Sequence, residues 1–368
     1  MRDPRLDVLA ANLFDYSLTM KAGEKVLVEG ETGAEELMIA LVEAAYERGV
    51  VPFTTLSDAR LRRAWLMGAE REEMDLRAAW ELHKVRDTDA SIHIMAGDNA
   101  SEGADIPPNK LEAARLASEP VLALSLSKKW VLLRYPTPAA AQAAGMSTQA
   151  FEDFCLSVST LDYARMSVAM DPLVELMERT DRVRIVAPGT DLSFSMAGIP
   201  VLKAAGINNI PDGEVFSSPV RDSVNGTIVF NTPSLEDGTT YENVRLVFRD
   251  GRVVESDANE AEKLTHMLDT DGGSRYLGEF ALGVNPVIDK PMKDTLYDEK
   301  IGGSLHLALG RSYDEAGNGN VSSVHWDLVL IQTPAWGGGE VWFDDVLVRK
   351  DGRFVVPELE GLNPENLL

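Results

Sequence analysis

Two residues in the second half of the chain, one histidine and one carboxylate, could bind a divalent metal ion together. His325 and Asp327 are separated by a single residue, Trp326. If this segment is a β-strand, both side chains point to the same face, because side chains alternate along a strand with a period of two. An imidazole and a carboxylate on one face are common ligands of divalent metals. The pair therefore indicates a candidate metal site.

Two glutamates are embedded in apolar, glycine-rich segments and are expected to be partly buried. Glu214 is followed by Val and Phe, and Glu279 lies between Gly and Phe. A buried carboxylate needs a cationic partner. Because no basic residue is close in sequence to either glutamate, a metal ion is the simplest partner, and Arg221 or Arg275 is the alternative.

A further candidate, His306, follows two adjacent glycines, Gly302 and Gly303. Such glycines either let the backbone approach a ligand closely or simply form a turn. The remaining histidines are expected to be surface or core residues without a role in the site: His83, His93 and His266.

The first half of the chain alternates between short apolar runs and amphipathic segments. This alternation predicts a parallel α/β sheet with right-handed crossovers. The expected strands are 25–29, 50–56, 90–95 and 121–126. The expected helices are 4–20, 34–48, 59–83 and 109–118, followed by a mostly helical segment at 136–178.

From Arg182 onward, short β-branched segments are separated by Gly, Asp and Asn turns, which predicts a β-rich α+β domain. The expected strands here are 183–186, 227–230, 244–248, 253–254 and 327–331. The expected domains are therefore an N-terminal α/β domain at 1–180 and a C-terminal domain at 181–368 that carries the metal site.

Composition limits the classes of partner. The chain has 368 residues, enough for two domains, and a formal charge of -24. A chain with this much negative charge repels phosphate backbones and anionic membranes. Neither nucleic acid nor a membrane is therefore an expected partner.

Cysteine usage and hydropathy together predict a cytoplasmic protein. Cys155 is the one cysteine, so an intrachain disulfide is excluded, which is typical of a reducing compartment. The charged start of the chain does not resemble a signal peptide. No run of 18 apolar residues is present.

Five ordered segments together resemble the M29 family of metallo-aminopeptidases, also called the aminopeptidase T or thermophilic aminopeptidase family. The segments are RYPTPAAAQAAGMSTQAFEDF, NNIPDGEVFSSP, GEFALGVN, LYDEKIGGSLHLALGRSY and SSVHWDLV. The resemblance covers nearly the whole chain, and several ordered motifs are far more specific than any one of them.

The resemblance implies a set of site residues. The implied metal ligands are Glu214, Glu279, His306, His325 and Asp327. Glu299 is implied as a sixth ligand or a residue in contact with the ligands, although it stands seven residues before His306 where the family has five. Tyr313 stands where the family has a tyrosine, seven residues after His306.

In a site of this kind two divalent ions per subunit, Zn, Co, Mg or Mn, activate a water molecule. Glu214 or Glu299 is expected to act as the general base, and Tyr313 to stabilise the oxyanion unless it is only a packed aromatic. The expected substrates are short peptides with a free N-terminus. The resemblance also implies a homodimer.

Two other functions use similar residues. A dinuclear metal phosphoesterase would need Arg or Lys beside the metals to hold the phosphate, and only Lys300 and Arg311 qualify. A non-enzymatic binding protein would not require a tyrosine and several carboxylates around two histidines. The peptidase interpretation is therefore favoured.

Overall fold

The computed structural model contains two compact units. The residues that it describes are 2–99, 101–236 and 238–368. The first unit is the chain up to Leu161 together with Gly206–Pro211, and the second is Asp162–Ala205 together with Asp212–Leu368.

The first unit is built on a five-stranded sheet in the order β2-β1-β3-β4-β8, in which every neighbouring pair is parallel. Its central strands bury apolar side chains, as is usual for a parallel sheet covered by helices: Val26, Leu27, Val28, Ile92, Ile94, Val131 and Leu133. The strands are β1 (Lys25–Glu31), β2 (Val51–Ser57), β3 (Ala90–Met95), β4 (Lys129–Arg134) and β8 (Asn209–Ile210). The helices are α1 (Pro4–Asn12), α2 (Glu35–Glu47), α3 (Ala59–Gly68), α4 (Arg71–Asp87), α5 (Pro108–Leu126), α6 (Pro138–Ala143) and α7 (Thr148–Ser159), with a π-helical turn at Leu13–Ser17.

The predicted parallel sheet is confirmed, but one of its predicted strands is wrong. The apolar run at 121–126 forms the end of helix α5, and the fourth strand is β4. A short apolar run fits a strand or a helix equally well. Here Leu122 and Leu126, four residues apart, are both exposed on one face of the helix. The expected helix at 59–83 is likewise two helices, because Glu70 and Glu73 form a capping box that starts α4.

The second unit contains two antiparallel sheets and a hairpin. The larger sheet has the order β14-β13-β10-β6-β5-β18-β19-β20 and the smaller has the order β17-β16-β15-β9-β7. The larger sheet consists of β5 (Arg182–Ala187), β6 (Thr190–Ser195), β10 (Asn225–Val229), β13 (Arg245–Arg249), β14 (Arg252–Asp257), β18 (Glu340–Phe343), β19 (Val346–Lys350) and β20 (Arg353–Phe354). The smaller consists of β7 (Leu202–Ala204), β9 (Glu214–Ser217), β15 (Leu277–Gly283), β16 (Ser304–Gly310) and β17 (His325–Ile331), and the hairpin of β11 (Ser234–Glu236) and β12 (Thr239–Tyr241).

Few helices accompany these sheets, as the β-rich pattern of the sequence predicts. They are α8 (Tyr163–Glu178), α9 (Ala261–Leu268), α10 (Thr295–Asp298) and α11 (Pro364–Leu367), with 3-10 turns at Pro334–Trp336 and Pro357–Leu362. Within the described residues, no helix combines the length and apolar character needed to cross a bilayer.

Helix α8 groups with the second unit rather than with the helices that precede it. Lys203 Nζ donates a hydrogen bond to Ser167 O at 2.8 Å, and Asp212 N donates one to the Tyr163 hydroxyl at 3.1 Å. The change between units therefore falls between Leu161 and Asp162, earlier than the expected boundary at residue 180. The assignment of separate domains to 1–180 and 181–368 stays a prediction.

Candidate metal centre

The smaller antiparallel sheet places five polar side chains on one of its faces. In strand pairing, Ala281 lies opposite His306, and Ala308 lies opposite both Glu279 and Asp327. Because residues two apart share a face, Glu279, His306 and Asp327 all project to the same side. His325 is two residues before Asp327 on β17, and Glu214 begins β9 beside β15. The predicted strand with His325 and Asp327 on one face is confirmed.

His306 lies at the centre of the group and is fully buried. Its Nδ1 is 3.5 Å from Glu214 Oε2, and its Nε2 is 3.5 Å from Glu279 Oε1 and 3.7 Å from Asp327 Oδ1. Strands β15 and β16, which carry Glu279 and His306, are buried at every residue. The group is therefore held by the most enclosed strands of this sheet.

His325 stands at the open side of the group. Its Nε2 is 3.4 Å from Glu279 Oε2 and 3.6 Å from Asp327 Oδ1. Its Nδ1 lies 2.8 Å from the backbone carbonyl oxygen of Arg311. A carbonyl oxygen only accepts, so Nδ1 carries a proton, and Nε2, which faces the two carboxylates, is the nitrogen that can offer its lone pair to a metal ion. This is the arrangement by which proteins orient a metal-binding histidine.

A β-bulge in β15 at Leu277 and Glu279 makes this arrangement possible. Gly278 occupies the bulge, and a Cβ on residue 278 would overlap the carbonyl oxygen of Arg311. Because residue 278 is glycine, the Arg311 carbonyl can lie close to β15. In that position the carbonyl accepts the hydrogen bond of His325.

Glu299 joins the group from the end of helix α10. A carboxylate oxygen of Glu299 lies within 4.8 Å of one ligand atom each of His306 and Asp327. Two other groups also have one ligand atom from each residue within 4.8 Å of the others. One group is Glu214, Glu279 and His306, and the other is Glu279, His325 and Asp327. The structure thus brings all six expected ligands together.

Several atoms of this group are buried and have no hydrogen-bond partner among the described residues. These atoms are Glu214 Oε2, His306 Nδ1, His306 Nε2, His325 Nε2 and Asp327 Oδ1. Leaving a buried polar atom unsatisfied costs about 1–3 kcal/mol, so five in one place call for a common partner. Carboxylate oxygens and imidazole nitrogens suit a divalent cation of the Zn, Co, Mg or Mn class. The residues present fit metal ions.

Burial and the charges of neighbouring groups shift the pKa values within the group. Burial raises the pKa of Glu214 to about 8, against the effect of nearby Lys300, and raises the pKa of Asp327 to about 6. Burial opposes protonation of the two imidazoles, but the adjacent carboxylates raise the pKa of His306 to about 10 and that of His325 to about 9. Without a metal the imidazoles hold protons, which a metal ion has to displace.

The cation that pairs with Glu214 is Lys300, which was not one of the basic partners expected from the sequence. It is 1% exposed, donates a hydrogen bond to Glu214 Oε1, and lies 2.9 Å from Glu299 Oε1 and 3.5 Å from Asp212 Oδ1. The only sequence signal was a lysine adjacent to a candidate ligand in a glycine-rich segment. The alternatives Arg221 and Arg275 are engaged elsewhere, with the ring of Tyr276 and with Asp269.

Tyr313 is next to the group, with its side chain about half exposed at 47%. Its ring centroid is 5.1 Å from that of His325 and 5.7 Å from that of Phe216. Burial, and then the negative charges of Glu279 and its neighbours, raise the pKa of the Tyr313 hydroxyl well above its usual value. The phenol therefore stays protonated near neutral pH and remains a hydrogen-bond donor.

The other three histidines are outside the group. His83 is exposed, and its Nε2 is 3.7 Å from Asp87 Oδ2. His93 Nδ1 is 3.2 Å from Glu29 Oε2, and its Nε2 is 3.0 Å from the Ser91 hydroxyl. His266 is exposed on α9, where it and His325 line a cleft of about 790 Å³.

The loop before His325 is fastened by Asp271, which the sequence did not single out. Asp271 accepts hydrogen bonds from the backbone N–H groups of Gly273 and Ser323 and from the hydroxyls of Ser322 and Ser323. A carboxylate that ties two loops together in this way fixes the start of β17.

A family model and several known proteins match most of the chain. The family model described as thermophilic metalloprotease (M29) matches residues 2–353. Aminopeptidase T of Thermus thermophilus is 27% identical, covering 88% of this chain and 92% of that protein. Aminopeptidase 2 of Geobacillus stearothermophilus is 27% identical, covering 84% of each chain.

Two solved structures share the fold. Wild-type AmpT from Thermus thermophilus superposes with a TM-score of 0.80 at 24% identity and covers 96% of this chain and 99% of its own. The 2,5-dihydroxypyridine dioxygenase from Pseudomonas putida KT2440 superposes with a TM-score of 0.62 at 15% identity, covering 96% and 98%. At these identities the likeness concerns the fold alone.

Proposed function

The chain belongs to the M29 family of thermophilic metalloproteases, and we propose that it is an aminopeptidase that removes N-terminal residues from short peptides with two divalent metal ions. The relatives named above are aminopeptidases. One observation supports the metal-dependent chemistry most directly. Five buried nitrogen and oxygen atoms of Glu214, His306, His325 and Asp327 face one another without hydrogen-bond partners among the described residues.

Six residues would hold the two ions. They are Glu214, Glu279, Glu299, His306, His325 and Asp327. Glu279 has one oxygen near each imidazole, so it is suited to serve both ions. When bound, the ions act as Lewis acids that lower the pKa of coordinated water and polarise the scissile carbonyl. Zn, Co, Mg and Mn all suit this ligand set.

Proton transfer falls to a carboxylate of the group. Glu214 or Glu299 accepts the proton of the attacking water and returns it to the leaving amine. Each has one oxygen engaged by Lys300, which holds the carboxylate in place, so its second oxygen is the one that would meet a metal ion or the water.

Tyr313 donates a hydrogen bond to the developing oxyanion. Its raised pKa keeps the hydroxyl protonated, and its contact with His325 places it at the open side of the group. Donors of this kind stabilise the transition state more than the substrate, so their effect is on kcat.

The cleft beside His325 is a suitable place for the peptide. It is lined by residues of the β11–β12 hairpin and of α9, including Glu236, Glu262 and Lys263. A free α-amine can bind a metal ion or an acidic side chain, whereas an acylated amine cannot. Substrates are therefore short peptides with a free N-terminus.

The arrangement of charges disfavours a phosphoesterase. Lys300, one of two basic residues that could have held a phosphate, is buried and already paired with three carboxylates. A phosphate would meet mainly negative charge here.

The proposal includes a homodimer, which the family resemblance implies. It also includes a cytoplasmic location, which a single cysteine, Cys155, supports. Light scattering at micromolar concentration measures the assembly, and a monomer would contradict it.

A panel of aminoacyl amides, beginning with leucine amide, tests the function. We expect hydrolysis that a chelator abolishes and that added Zn, Co, Mn or Mg restores. Circular dichroism should show that the chelated protein keeps most of its fold. Full activity in protein shown by elemental analysis to be metal-free would contradict the proposal.

A further inference from the structure

Lys300 places a permanent positive charge inside the proposed metal centre. Its Nζ contacts Asp212, Glu214 and Glu299, and its side chain is 1% exposed. A lysine so enclosed cannot move its charge into solvent, so every cation that enters the centre meets it.

The lysine contacts only one side of the centre. Each of the two glutamates that it contacts belongs to a metal-compatible group: Glu214 with Glu279 and His306, and Glu299 with His306 and Asp327. The third group, Glu279, His325 and Asp327, contains no carboxylate with which Lys300 forms an ion pair in the described part of the chain. The two sides of the centre therefore differ in the charge beside them.

The contacts also limit how many oxygens the two glutamates can offer. Lys300 takes Oε1 of Glu214, and Oε2 is the atom 3.5 Å from His306 Nδ1. It likewise takes Oε1 of Glu299. Each carboxylate is left with one oxygen for a metal ion, and that ion is repelled by the neighbouring ammonium. Repulsion of this kind is strong where water is excluded.

Formal charges are consistent with this division. Five carboxylates surround the centre: Asp212, Glu214, Glu279, Glu299 and Asp327. Lys300 offsets one of their negative charges, and two divalent cations offset the remainder. The lysine thus belongs to the charge balance of the filled centre.

We propose that Lys300 makes the two metal positions unequal. The position formed by Glu279, His325 and Asp327 fills first. The position beside His306, which draws on Glu214 or Glu299, binds its ion more weakly. Lys300 is a positioning residue, because it acts through the two glutamates. This inference rests on the proposed two-metal function.

Metal binding measures the difference directly. Metal-free protein is titrated with Mn²⁺ by calorimetry, and bound metal is counted by elemental analysis after dialysis. We expect two dissociation constants that differ by about tenfold or more. In Lys300→Met the weaker site should tighten by about tenfold or more, while the tighter site changes by less than about threefold. The exposed Lys290→Met should match the wild type.

Two outcomes of this titration would overturn the inference. In one, both constants of Lys300→Met stay at their wild-type values. In the other, both change equally, as expected of a purely structural lysine. If Lys300→Met does not fold, the wild-type protein still decides. Crystals grown with one equivalent of Mn²⁺ should show anomalous density only beside Glu279, His325 and Asp327, and equal or opposite occupancy would contradict the inference.

The same measurements separate this inference from the function on which it rests. Protein that binds no divalent metal would defeat the proposed function. Two equal sites in a protein that hydrolyses leucine amide would defeat only the role of Lys300.

Discussion

His325 donates its Nδ1–H to the backbone carbonyl of Arg311 over 2.8 Å. This hydrogen bond fixes the tautomer of the imidazole and turns Nε2 toward two carboxylates. A histidine that only packed in the core would not need its second nitrogen buried between two carboxylates without a hydrogen bond among the described residues. The relationship therefore supports metal binding by His325 and leads to the first prediction.

Replacing His325 by Ala should remove one ligand while leaving the fold intact. Losing a residue that only hydrogen-bonds to a metal ligand typically costs about 10–100-fold in activity. Because His325 is itself a proposed ligand, we expect turnover of leucine amide to fall by more than this. Elemental analysis should show less metal per chain. His83→Ala is the matched control, because His83 is exposed and lies outside the group. A loss of metal in His83→Ala but not in His325→Ala would contradict the site.

Glu279→Gln keeps the shape of the side chain but removes the charge that faces both imidazoles. We expect both metal content and kcat to fall by orders of magnitude, because a neutral amide is a poor ligand and cannot serve two ions. Glu255→Gln, at an exposed position of β14, should behave as the wild type. Normal metal content in Glu279→Gln would remove Glu279 from the ligand set.

Tyr313→Phe tests the oxyanion role separately from metal binding. Loss of one such donor typically costs about 10²–10³ in kcat. We expect that decrease with KM and metal content little changed, since Tyr313 is half exposed and its ring packing is retained. The exposed Tyr46→Phe serves as the control. Unchanged kcat would mean that Tyr313 is only a packed aromatic residue.

Asp271→Asn should destabilise the protein in a pH-dependent way. Partial burial would raise the pKa of Asp271, but hydrogen bonds from Ser323, Gly273, Ser322 and Ser274 outweigh it and hold the pKa well below its usual value. A lowered pKa in the folded state gives stability that is present above the unfolded pKa of about 3.9 and is lost as pH falls below it.

We therefore expect Asp271→Asn to unfold about 1 kcal/mol more easily at pH 7, with the difference shrinking below about pH 4. Urea unfolding across the pH range in which both proteins are folded gives this measurement. Asp289→Asn, at an exposed position, is the control. A difference that grows toward acid pH would contradict the assigned role of Asp271.

Matched pentapeptides with a free and an N-acetylated N-terminus test where cleavage occurs. The acetylated amine loses a charge-assisted contact worth about 1.5–3 kcal/mol and adds bulk. We expect the free peptide to shorten one residue at a time and the acetylated one to resist, as followed by mass spectrometry. Equal rates, or a first product from the middle, would indicate an endopeptidase.

That His325 and Asp327 share a face could be predicted on the condition that their segment is a strand, because side chains alternate with a period of two and one residue separates them. The burial of Glu279 could be predicted for a related reason, since a carboxylate within a continuous apolar run is rarely solvent-exposed. Both inferences depend only on neighbours along the chain. The family resemblance then supplied His306 and Glu299.

The partner of Glu214 could not be predicted from such local patterns. Lys300 is 86 residues away in sequence and meets Glu214 only when α10 and β9 have been placed. The prediction of a strand at 121–126 was wrong for a different reason. Its apolar residues fit a strand or a helix equally well, and only the packing of α5 determines which of the two forms. Long-range pairing and short apolar runs are thus the two limits of sequence reasoning here.

Gly278 has no side chain that could bind a metal ion. A survey of variants that is restricted to the proposed ligands would therefore not include it. Any larger residue there would push the Arg311 carbonyl away and so remove the acceptor that keeps the proton of His325 on Nδ1. We expect a single added methyl group to disable in this way a centre whose six proposed ligands are all intact. When inactive natural or engineered forms of this enzyme are diagnosed, position 278 should be checked together with the ligands themselves.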